Sequence, residues 1–205
     1  MTGDHLRELA NTMLQSLPWS SEAGSGVKVV GVTSCYRGEG VSTIARLMAT
    51  TAASSGTCEV LLIDANVDRP SVHEVAGPLG SPDRSKSAPS GNGGQFKLRP
   101  TQIPNLHALV SGRGEAGTVY EFLDLLRTLL ANCRDRFDLV VVDIPALTES
   151  PSAGPLCSLL DGVVLVVEDG RVRREVAWQT GGNLERSGGK ILGVVLNKAN
   201  GWKNA

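Results

Sequence analysis

The sequence predicts an α/β fold, a mostly parallel sheet with helices on both faces. Two observations carry that prediction. Short continuous runs of Val, Ile and Leu recur along the chain, the pattern of strands covered on both sides rather than one. Between these runs lie longer segments with apolar residues at helical spacing. Strands that alternate with helices are joined by crossovers, and crossovers make neighbouring strands parallel. Binding crevices in such sheets lie beyond the carboxyl ends of the strands. The residues leaving each strand are therefore the ones to read for chemistry.

Residues 4–16 place Leu6, Leu9, Met13 and Leu14 at helical spacing, and Pro18 to Gly26 breaks the pattern. Residues 1–26 thus read as a helix and linker ahead of a domain spanning 27–205. Val27 to Val32 is the first core strand, and the same pattern returns at 60–63, 139–142, 163–167 and 191–196, with 106–110 as a sixth. Helices are expected over 43–54, 119–133 and 175–187. Residues 77–100, rich in Gly, Pro and Ser, bury too little apolar surface to offset ordering entropy and read as a mobile surface insert.

At 205 residues and a formal net charge of −1, the chain suits one domain and has no overall basic field for holding nucleic acid or an acidic membrane. Cys35, Cys58, Cys133 and Cys157 show no C-x-x-C pairing, so reduced and mostly buried thiols are expected. No run approaches the ~18 apolar residues of a membrane span, and an N-terminus carrying Asp4 and Glu8 is not a secretory leader. A cytoplasmic protein with no direct membrane insertion is the expectation.

Thr33-Ser34-Cys35-Tyr36-Arg37-Gly38-Glu39-Gly40-Val41-Ser42-Thr43 joins the first strand to the first helix of the domain. A strand, a glycine-bearing loop and a helix N-terminus together point backbone N–H groups and a positive dipole end at a phosphate. Against the P-loop pattern G-x-x-x-x-G-K-[ST], Cys35 stands at the first glycine and Val41 at the lysine, while Gly40 and Ser42 are kept. Companion motifs follow in order at later strand ends: Asp64-Ala65-Asn66-Val67-Asp68-Arg69-Pro70, then Leu139 to Asp143 with Ile144-Pro145, then Leu192 to Asn197 with Lys198.

In these motifs the chain resembles the cytoplasmic P-loop domain of bacterial tyrosine kinases that control capsule and exopolysaccharide synthesis, relatives of the MinD and ParA partition ATPases. The likeness covers residues 3–198 apart from 77–100. It implies a three-layer P-loop NTPase fold, with ATP or ADP and Mg²⁺ as cofactors. It places Arg37, Gly38, Glu39, Gly40, Val41, Ser42 and Thr43 on the phosphates and Asn197 on the adenine ring. Ser42, Asp64 and Asp143 become the Mg²⁺ residues, with Asp64 and Asp143 the catalytic carboxylates if the protein is active. It also implies a membrane-anchored polysaccharide chain-length regulator as partner, and recruitment to the inner face of the membrane through it.

The departures bear on chemistry. Where the family has S-x-x-P-G-E-G-K-S-T, valine at 41 supplies no charge to the phosphates, and transition-state charge is then poorly stabilised. Where the family has D-A-D-x-R-R-P, Asn66 cannot accept a proton as a carboxylate does, and Asp68 adds negative charge. Both Asp64 and Asp143 also have a structural reading, as strand-end carboxylates bonded to backbone. Tyr36 and Tyr120 are the tyrosines of the chain, so its last residues carry none to phosphorylate. The family's E-x-x-R-x-x-R assembly motif is matched by Asp4 and Arg7 but has Ala10 for the second arginine, and homo-oligomerisation is left open. Three functions stay in view: a degenerate kinase-like protein acting by protein contact, an active kinase or ATPase whose missing charge comes from Arg37 or a partner, and a MinD-type partition ATPase.

Overall fold

The run from Lys28 to Ser34 forms the central strand, β1, of the computed structural model, which describes residues 28–66, 98–110, 119–133 and 136–199 together with 11, 12, 14, 88, 89, 95 and 96. Helix α1 (Val41–Ser54) follows, then β2 (Val60–Asp64). Three two-residue strands come next: β3 (Ala88–Pro89), β4 (Gln95–Phe96) and β5 (Arg99–Pro100). The remainder is β6 (Leu106–Val110), α2 (Val119–Cys133), β7 (Leu139–Asp143), α3 (Ala153–Cys157), β8 (Gly162–Glu168), α4 (Arg174–Arg186) and β9 (Ile191–Asn197).

The main sheet has the order β5-β6-β2-β7-β1-β8-β9. Its six long strands are parallel, and β5 alone among its members runs antiparallel, along β6. The β-branched run in β1 is explained by its position: neighbours on both edges and helices on both faces leave it no wet side. Val29 faces a core shared with Phe122, Leu126 and Leu129 of α2, Leu156 of α3 and Leu184 of α4. Val30 and Val32 face the other core, against Ile44, Ala45, Met48 and Ala49 of α1. The alternation along one strand thus builds the three layers that the sequence predicts.

The six strand runs and three helices fall where expected, within one or two residues at their ends. Four elements were not expected. Helix α3 is one of them, and the other three, β3, β4 and β5, lie in the 77–100 segment: β3 pairs antiparallel with β4, β5 with β6, and Leu98, just before β5, is fully buried in the core that also holds Leu109. The C-terminal end of that segment is thus part of the sheet and its core, while 77–87, 90–94 and 97 lie outside the described residues. Of the expected N-terminal helix, residues 11, 12 and 14 are helical and Leu14 packs on the α1 core; the rest lies outside the described residues.

Candidate functional site

β1 ends at Ser34, and residues 35–40 turn the chain into α1. Gly38 has φ 88 and Gly40, which caps α1, has φ 100. These are conformations that a side chain makes costly. Gly40 has no room for one either, since a Cβ there would fall 2.2 Å from Asn197 Nδ2. No side chain caps α1. The first N–H groups of a helix have no carbonyl a turn before them, and here they open on the cleft with the positive dipole end behind them.

The loop is held from below by its own acid. Glu39 is fully buried; its Oε1 accepts the Tyr36 N–H at 2.6 Å and its Oε2 accepts the Glu168 N–H at 3.2 Å. Burial pushes the Glu39 carboxyl above its ordinary value, outweighing the two N–H bonds that pull it down. From the far edge of the sheet, Asn197 Nδ2 donates to Glu39 O at 2.7 Å, and Lys198 Nζ donates to Gly38 O at 2.8 Å. Lys198 also pairs with Glu168 at 3.2 Å, as does Arg171 at 3.0 Å. The hydrogen bond from Arg171, joined by that from Lys198, holds the Glu168 carboxyl below the usual range. On the other side, Ser34 O accepts the Leu147 N–H at 2.9 Å, and Arg37 N–H donates to Glu149 at 3.1 Å.

In front of the loop lies an open cleft of about 330 Å³, lined by residues of the loop, of α1, and of the ends of β2 and β7. Asp64 and Asp143 end adjacent strands in register, both buried. Residues paired this way in a sheet project to the same face. Asp64 Oδ1 accepts the Asn66 N–H at 2.9 Å, the strand-end role weighed for it from sequence. Asp143, Ser42 and Asn66 all line the cleft. A serine hydroxyl and two carboxylates offer the hard oxygens that suit Mg²⁺, and Ser42, Asp64 and Asp143 are the residues that could hold such an ion. Bound there, the ion would neutralise phosphate charge. An orphaned donor in the same cleft, Arg46 Nε, fits a phosphate oxygen.

No family model matches the chain. Among curated proteins, the tyrosine-protein kinase CpsD of Streptococcus agalactiae is 28% identical over 180 residues, 87% of this chain and 78% of that protein. The succinoglycan biosynthesis transport protein ExoP of Rhizobium meliloti is 30% identical over 181 residues, 86% of this chain but 23% of ExoP. Among solved structures, the VpsO kinase domain superposes with a TM-score of 0.70 at 26% identity, covering 96% of this chain and 98% of that one. The MinD cell division protein of Aquifex aeolicus shares the fold, with a TM-score of 0.62 at 20% identity over 85% of this chain and 70% of its own. The chain is a CpsD-like P-loop domain, and it shares its fold with MinD.

The CpsD-like domain brings most of the sequence-derived site residues together. Arg37, Gly38, Gly40, Val41, Ser42, Thr43 and Asp143 line one cleft. Glu39 belongs to the loop by position, but its carboxylate is turned into the protein. Asn197 has both ends of its amide engaged internally, Nδ2 on Glu39 O and Oδ1 on the Lys198 N–H at 2.9 Å, so here it ties the loop to β9. Two residues were missed, one bracing the loop and one lining the cleft. Lys198 was visible in the last motif, but its target lies 160 residues earlier. Arg46 stands past the end of the P-loop pattern, and its spacing of four from Ser42 on one helix was the available signal.

Proposed function

We propose that this CpsD-like domain regulates capsule or exopolysaccharide synthesis by protein contact, binds adenine nucleotide weakly or not at all, and does not transfer phosphate. The observation that carries the reading is Val41, in the position of the P-loop lysine, on a loop that keeps Gly38, Gly40 and Ser42. The cradle built by Gly38, Gly40 and the N-terminus of α1 needs only backbone, and the substitution leaves it untouched. What it removes is a charge that matters most when phosphoryl charge develops in the transition state. Asn66 removes a proton acceptor from the same cleft. A loss confined to catalytic charge, on a retained scaffold, is what a protein kept for its surface would show.

On this reading residues 27–205 are the working domain and 1–26 a helix and linker. The partner is a membrane-anchored polysaccharide chain-length regulator, which draws a cytoplasmic protein to the inner face of the membrane. Among the described residues no helix is long and apolar enough to cross a bilayer, which supports a contact-mediated rather than an inserted association. A second reading, an active tyrosine kinase or ATPase with a substituted charge, is favoured by Arg37 lining the cleft. Incubating the purified protein with ATP, Mg²⁺ and a tyrosine polymer separates the two. No phosphotyrosine is expected, with or without the regulator. Transfer at a rate abolished by Asp143→Asn overturns the proposal in favour of the second reading.

A further inference from the structure

Arg46 is the cation of the cleft that no motif marks. It lies on α1 three residues after Thr43 and four after Ser42, so the three share one helix face. Helical side chains lean toward the N-terminus, which brings the Arg46 head back toward the phosphate loop. Its Nε is shielded from solvent and has no hydrogen-bond partner. Buried donors are almost always paired, and an exception calls for a ligand or a function. Among the described residues no carboxylate forms an ion pair with Arg46, although Asp143 lines the same cleft. Asn66, on the wall of that cleft, is neutral.

These observations converge on an anion. The loop offers N–H groups and a dipole to phosphate, Val41 offers nothing, and a guanidinium whose Nε has no partner lies on the same helix one turn beyond Ser42. We infer that Arg46 supplies the cationic contact to the terminal phosphate of a nucleoside di- or triphosphate, the positive charge having moved along α1 from position 41 to position 46. This rests on the reading of the cleft as a phosphate site, and within that reading it favours weak binding over none. A guanidinium is permanently charged and grips two oxygens of one phosphate in a fixed fork. It therefore serves to hold the ligand and to distinguish two or three phosphates from one. Arg37, exposed and with its backbone N–H on Glu149, is not in a comparable position.

The test is calorimetric titration of the whole chain with ADP and with AMP. The variants are Arg46→Ala, Arg46→Lys, Arg46→Met, Arg127→Ala and Val41→Lys, each first checked by circular dichroism. The wild type is expected to prefer ADP to AMP. Arg46→Ala should lose roughly 10- to 100-fold in affinity for ADP, the range of one charge-assisted contact, and little for AMP. Arg46→Lys should recover part of the loss, and Arg127→Ala, on the exposed face of α2 away from the cleft, should stay near the wild type. Equal losses for ADP and AMP would mean that Arg46 merely supports the fold, and Arg46→Met, which keeps the bulk, would then bind as the wild type does; either result overturns the inference. Binding of ADP unaffected by Arg46→Ala, or binding seen only in Val41→Lys, also overturns it while leaving the phosphate cleft standing. If neither the wild type nor Val41→Lys takes ADP or inorganic pyrophosphate, the cleft reading itself fails, and the inference with it.

Discussion

Replacing Gly40 by alanine tests whether the phosphate loop is braced by the far edge of the sheet. Two separate costs arise. A residue with a Cβ held at φ 100 is strained by about 1–3 kcal/mol. That Cβ also falls 2.2 Å from Asn197 Nδ2, so the amide must leave and its bond to Glu39 O is lost, a further ~0.5–1.5 kcal/mol. Together these come to about 2–4 kcal/mol, or a fall in Tm of roughly 5–15 °C for a chain of this size. The decisive measurement is a double-mutant cycle by urea denaturation, with Gly40→Ala, Asn197→Ala and both together. Once Asn197 is truncated, only the backbone strain remains to be paid at position 40. The double variant should then be more stable than the sum of the singles predicts, by about 1 kcal/mol. Additivity to within ~0.3 kcal/mol would show that Asn197 does not brace the loop.

Glu39 should give a pH signature. Burial raises its folded-state pKa above the ordinary 4.5, so the folded protein holds this proton more tightly than the unfolded chain does. The stability it contributes is complete below 4.5 and is lost as pH rises through the raised value. Denaturation of wild type and Glu39→Gln from pH 4 to 7 should show their difference shifting against the wild type as pH rises; a shift in its favour contradicts the assignment. The cysteines should be inert. Burial pushes the Cys157 thiol up to about 12 and Cys133 to about 11, and raises Cys35 and Cys58. At pH 8 a thiol with a pKa near 11 is about one part in a thousand thiolate. Ellman's reagent should react first at Cys58, the least buried of the four, and reach the others only on unfolding; rapid reaction of Cys157 in the native state refutes this. Arg46→Met keeps the packing and removes the orphaned Nε, so the empty protein should gain about 1 kcal/mol, or a Tm about 2–4 °C higher. A large loss would mean that the guanidinium is already satisfied.

The strand runs were legible because burial on both faces leaves a strand few polar positions: β7 and β8 read as Val and Leu between their ends, and β1 as Val interrupted by Gly31. What the sequence hid lacks such a pattern. Helix α3 has five residues, with Gly154 and Pro155 inside it, and is held by the burial of Leu156 and Cys157 rather than by periodicity. Phe96 and Leu98 are two isolated apolar residues in a polar stretch, too little to announce the short edge strand after them. At the site, the glycines and strand-end acids were legible because backbone geometry demands those residue types at those places. The work done by Asn197 was not, because its partner Glu39 lies 158 residues away. Arg46 stands outside every motif, marked only by its helical spacing from Ser42, and its importance comes from an atom that tertiary packing cuts off from water.

The clamp of Glu39, Glu168, Asn197 and Lys198 around the phosphate loop has a thermodynamic consequence. Its bonds form within the protein itself, so the loss of loop freedom accompanies folding and is not charged to the arrival of a ligand. Such a cradle keeps its form empty or filled. A ligand shifts a conformational equilibrium only by its differential affinity for two shapes, and a loop stapled into one shape leaves little difference to exploit. A cradle of this kind presents a constant surface, and a phosphate taken into it would be an occupant of the fold rather than a trigger for it.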